Sequence, residues 1–167
     1  MFMILKKYWF GIVTILSLIA ICSALIAEFI FDLDPCSMCL KARHPYYFII
    51  LTFIIIVFLQ WQHKIWFYIG VQISSTYGLF YSIWHVGIEN NILTGPAECS
   101  SGLEKFNNIS KLKDQIMSKP VISCEEVTWS FFGISAATIN TFIILLFFII
   151  NLLYLFQYYE SKKTKKI

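Results

Sequence analysis

Tyr8–Ala27 reads YWFGIVTILSLIAICSALIA, twenty residues without a charge between Lys7 and Glu28. About 20 apolar residues in a helix cross the hydrocarbon core of a bilayer, so this stretch decides the class of fold. Uncharged windows recur at Pro45–Gln62, at Ile65–Ile88 (which carries His85) and at Val127–Tyr159. The last is too long for one crossing; its span is placed near 134–156, with Val127–Gly133 at the interface. The expected architecture is one all-α integral-membrane domain over 1–167, a four-transmembrane-helix bundle. Its spans are approximately 8–30, 45–62, 65–86 and 134–156, and two outward, periplasmic loops cover about 31–44 and 87–133.

Composition agrees. The chain is 58% hydrophobic and 14% charged, with a mean hydropathy of +0.70. A water-soluble domain of 167 residues cannot hide that much apolar surface, so the lipid bilayer is the expected partner. No basic, aromatic-interleaved polar stretch suits nucleic acid. Trp9, Trp61, Trp66, Trp84 and Trp129 all fall near expected span ends, as an aromatic belt would. Lys6, Lys7, Lys64, Lys162, Lys163, Lys165 and Lys166 lie on one side if the spans alternate, which makes that side, with both termini, cytoplasmic. The first span is read as retained, because no small-residue cleavage site precedes Asp32–Pro35.

Four of the five cysteines fall in the two outward loops: Cys36-Ser37-Met38-Cys39 in the first, Cys99 and Cys124 in the second. A Cys-x-x-Cys pair closes too small a ring to constrain much chain but suits a reversible dithiol centre. A compartment outside the cytoplasm lets such bridges form. Inert structural disulfides or a zinc site are the rival readings. Zinc favours two short spacings, and Cys99 and Cys124 stand 25 positions apart, so no metal is assigned. Cys39 is expected near a helix start, whose partial positive charge favours a thiolate, although Pro45 can delay the regular helix. Cys22 reads as a buried, inert thiol. Gln72, Ser75, Thr76 and Ser82 should hydrogen-bond between helices, with Gly78 a close-packing point. Leu103–Met117 has apolar residues at helical period, the pattern of a surface-lying amphipathic helix.

The stretches PCSMCLKARHPYY (Pro35–Tyr47), WHVGIENNILTGPAECS (Trp84–Ser100) and PVISCEEVTWSFFGIS (Pro120–Ser135) resemble the disulfide bond formation protein B (DsbB) family. That resemblance implies a membrane thiol:quinone oxidoreductase of the bacterial inner membrane. It would reoxidise DsbA, a periplasmic thioredoxin-fold oxidant, and so sustain disulfide bond formation. On the family pattern DsbA attacks Cys99 of a Cys99–Cys124 bridge, Cys124 passes the electrons to the Cys36–Cys39 bridge through Cys36, and Cys39 is left as a thiolate beside a quinone. Arg43 and His85 would hold that cofactor, ubiquinone or menaquinone. Arg43, four residues beyond Cys39, shares its face if the segment is helical. The runners-up are a vitamin K epoxide reductase-like thiol oxidoreductase, whose redox pair usually comes later in the chain, and a non-catalytic tetraspan protein with structural cysteines.

Overall fold

The computed structural model describes residues 2–59, 65–96, 99, 123–125, 127 and 129–164. Helix α1 is Phe2–Phe29, α2 Ser37–Phe58, α3 Ile65–Glu89 and α4 Ala136–Thr164, with strands β1 (Ser130–Phe131) and β2 (Ile134–Ser135) before α4. The region expected to form an amphipathic helix, 103–117, lies outside the described residues. Three helices contain stretches long and apolar enough to cross a membrane: Tyr8–Phe29, Ser37–Phe58 and Ala136–Ser161. The 25 residues of α3 rise about 37 Å at 1.5 Å each, a membrane-spanning length, but its sequence is more polar.

The polarity of α3 is turned inward. Ser74, Ser75, Ser82 and His85 are buried, while Trp66, Ile73, Phe80 and Ile83 of the same helix are exposed. The other helices share this inside-out distribution: Phe58 is 85% and Phe142 62% exposed, whereas Asn151 is fully buried. Apolar side chains on the outside, with the few polar groups turned into a largely apolar interior, suit a bilayer, because polar groups there must find partners within the protein.

Those partners join the helices. Asn140 of α4 accepts from Tyr46 Oη at 2.6 Å and donates to Ser82 Oγ at 2.6 Å, linking α2, α4 and α3. Asn151 donates to the Tyr68 carbonyl and to Gln72 Oε1 at 2.8 and 2.9 Å. Gln72 and Ser82 therefore bond across helices as expected, whereas Thr76 turns back on the Gln72 carbonyl of its own helix. Ser75 Oγ is buried and has no hydrogen-bond partner among the described residues. Helix α3 packs most extensively on α4 and then on α2, and α1 packs on α2. Trp9, near the start of the first apolar stretch, faces the core: it is 3% exposed and edge-on to Phe147 and Tyr154. Cys22, expected to be buried, is exposed on the outer face of α1.

Helix α2 begins at Ser37, eight residues before the expected span, and runs through Pro45. Proline removes one amide from the ladder, which a membrane helix tolerates where neighbours re-satisfy the backbone. Ser74 Oγ donates to the Pro45 carbonyl at 2.7 Å. The pyrrolidine ring fills the space that Gly78 leaves open: a Cβ there would lie 2.6 Å from Pro45 Cγ. Near the start of the fourth uncharged window, β1 and β2 pair antiparallel around Phe132 and Gly133, both at positive φ. Ser135 then caps α4, its Oγ accepting the Thr138 amide at 3.2 Å.

Candidate redox site

The site forms where the start of α2, the end of α3 and the hairpin before α4 converge. Cys36 is the N-cap of α2, and its Sγ accepts the Cys39 amide at 3.2 Å. Cys39 lies in the first turn of α2, near the helix start as expected, and the sulfur that caps the helix is that of Cys36. The two sulfurs are unbridged and 2.7 Å apart. The hydrogen bond from Cys39 holds the Cys36 thiol down at about 4 against the upward push of burial, with His85 and the Cys39 amide adding to the lowering. His85 Nε2 stands 3.7 Å from Cys36 Sγ.

Cys99 and Cys124 are joined as a disulfide and are buried. The Cys124 amide also donates to the Cys99 carbonyl at 3.2 Å. Cys36, Cys99 and Cys124 fall in one buried cluster with Met38 and Ile88, and Cys39, Tyr81 and Trp84 pack against it. Ser37 sits between the pairs, its Oγ 3.2 Å from Cys99 Sγ and 3.8 Å from Cys124 Sγ. The Ser37 hydroxyl thus places the second pair against the start of α2, where the first pair sits.

Cys36, Cys39 and His85 could also gather metal-ligand atoms, all within 4.8 Å of one another. Two thiolates on tetrahedral zinc stand roughly 3.8 Å apart, given Zn–S bonds of about 2.3 Å. The 2.7 Å separation is too short for that and suits a pair that opens and closes a bridge.

Arg43 is placed differently. Its guanidinium pairs with Glu28 of α1 and donates to the Ala24 carbonyl at 3.4 Å, so its described contacts run to α1 and not to the sulfurs. His44, given no role from the sequence, lies 3.4 Å from Tyr77 Oη through Nδ1. Sequence reasoning missed Ser37, Glu28 and Glu89. Glu89 Oε1 is 3.9 Å from His85 Nε2, and its Oε2 accepts from Ser135 Oγ at 2.6 Å. The His85/Glu89 spacing of four, one helical turn, was the available signal.

A sequence profile described as "Disulfide bond formation protein DsbB" matches residues 6–154. The chain belongs to the DsbB family. A curated relative, an uncharacterized protein of Rickettsia prowazekii (strain Madrid E), is 29% identical over 127 residues, 75% of this chain and 73% of the relative. No solved structure matches. Family membership and the apolar helices make this DsbB-family protein a membrane oxidoreductase of disulfide-bond formation.

Proposed function

We propose that this DsbB-family protein is a four-span thiol:quinone oxidoreductase of the bacterial inner membrane, with cytoplasmic termini, which reoxidises a periplasmic DsbA-like dithiol. One observation carries the reading: two chemically distinct cysteine pairs share one buried cluster, with the Ser37 hydroxyl between them and His85 against Cys36. An isolated staple has no use for a second pair within reach or for an imidazole beside a stabilised thiolate.

The incoming dithiol attacks Cys99; Cys124, expelled as a thiolate, attacks Cys36 and expels Cys39. The second sulfur of the incoming dithiol then frees Cys99 and leaves as a disulfide, and Cys99 attacks Cys124, re-forming the second bridge and releasing Cys36. Ser37 Oγ, within reach of both Cys99 and Cys124, is placed to donate to whichever sulfur leaves with negative charge. The Cys36–Cys39 dithiol then carries the two electrons. When bound, a quinone supplies a two-electron, two-proton acceptor. The residues present fit one: Tyr81 and Trp84 give an apolar aromatic wall beside the cluster, and His85 is a buried donor next to Cys36. Arg43 contributes positive charge from the α1–α2 boundary, held there by Glu28.

The test is oxidised protein in detergent with a reduced DsbA-like dithiol and a soluble quinone. Quinone absorbance should fall, and Cys39→Ser should abolish the fall. A folded, oxidised sample that leaves the quinone unreduced sinks the reading.

A further inference from the structure

We propose that Glu89 is the proton store of the Cys36–Cys39 couple, filled and emptied through His85. The inference rests on the redox pair of the reading above, not on its quinone. Breaking the bridge with two electrons from an incoming dithiol leaves two sulfurs to share protons. In the geometry found here Cys36 Sγ accepts the Cys39 amide and lies against Cys39 Sγ, a contact in which either sulfur can donate, so the pair holds one proton between its two sulfurs. One of the two protons of the couple therefore goes onto Cys39 and the other must be held elsewhere.

Glu89 is where the structure puts it. A thiolate at Cys36 adds negative charge to an apolar pocket that already contains a carboxylate, 9% exposed, on the far side of His85. His85 Nε2 faces both groups, 3.7 Å from Cys36 Sγ and 3.9 Å from Glu89 Oε1, so a small ring rotation carries a proton between them. Cys36 and Cys39 of α2 are the titratable groups that face the His85–Glu89 pair among the described residues. On the outer side Ser135 Oγ, which donates to Glu89, is 2.9 Å from Thr138 Oγ1. Thr138 is exposed. This gives the store a hydroxyl path to the surface. When the bridge re-forms, both electrons leave for the acceptor, and the protons on Cys39 and Glu89 follow.

Redox-difference infrared spectroscopy of the full-length, quinone-stripped protein tests this. Reducing the bridge with a soluble dithiol should bring up a protonated-carboxyl band that shifts in D2O. Glu89→Gln should remove the band, and Glu89→Asp should move its frequency while keeping it, which also guards against a variant that fails to fold. With quinone restored, Glu89→Gln should slow quinone reduction by about tenfold or more, in the range of lost proton-transfer catalysis. No carboxyl band in the wild type, or a band that persists in Glu89→Gln, overturns the proposal. A wild type that shows the band yet reduces no quinone overturns the proposed acceptor and leaves the store standing.

Discussion

Among the residues, Cys36 is the most informative. Its thiol is held at about 4 against an ordinary 9.0, chiefly by the Cys39 hydrogen bond. The sign follows: a folded value below the unfolded one stabilises the folded, reduced protein fully above about 9, and that contribution is lost progressively as pH falls towards 4. Thiolate ultraviolet absorbance of the reduced protein should therefore titrate near 4. Cys39→Ala should move the midpoint up by about one unit or more, and His85→Ala by less. A midpoint that stays at an ordinary thiol value in the wild type would show that the capped, hydrogen-bonded geometry is not that of the reduced state. The cysteines were legible because spacing and compartment chemistry are written locally. Glu89 was not, because an acidic residue closing an apolar window reads as a boundary marker; its role depends on Ser135, 46 positions away.

Between elements, two contacts set how α2 sits. Gly78 of α3 accepts the Pro45 ring so closely that an added Cβ would meet Pro45 Cγ at 2.6 Å and Ile144 Cδ1 at 3.4 Å. Gly78→Ala should cost about 1–3 kcal/mol as overpacking, read as a lower midpoint of thermal unfolding in detergent. The Glu28–Arg43 pair ties α1 to α2, with side chains 25% and 12% exposed. Glu28→Ala leaves the guanidinium without its carboxylate, and the expected loss is about 1–3 kcal/mol, less than for a fully buried pair because solvent reaches the carboxylate. A double-mutant cycle with Arg43→Ala should show the two losses to be non-additive. The helices themselves were legible, since apolar windows need no knowledge of tertiary contacts. Their ends were not. The α2 start depends on a cysteine acting as an N-cap, and the β1–β2 hairpin rests on two consecutive residues at positive φ, of which only Gly133 carries a sequence signal.

For the whole molecule the open quantity is the number of crossings. Three stretches are apolar enough by average composition, and α3 falls short because its buried face holds serines and a histidine. An average cannot see that this polarity points inward. The contacts across the bundle argue the rest. Ser37 at the start of α2 touches Cys99, His85 near the end of α3 reaches Cys36, and Ser135 just before α4 donates to Glu89. These three points share one end of the bundle. If α2 crosses the bilayer, α3 must cross back to bring Cys99 beside Ser37. In a variant lacking the five native cysteines, a membrane-impermeant maleimide should therefore label Asn91→Cys in intact spheroplasts and Ser161→Cys only after lysis. Three crossings would give the reverse pattern from the same cytoplasmic N-terminus, with Ser161→Cys labelled at once and Asn91→Cys protected. That result would separate the two cysteine pairs by a bilayer and remove the electron path, whatever the chemistry of the individual thiols.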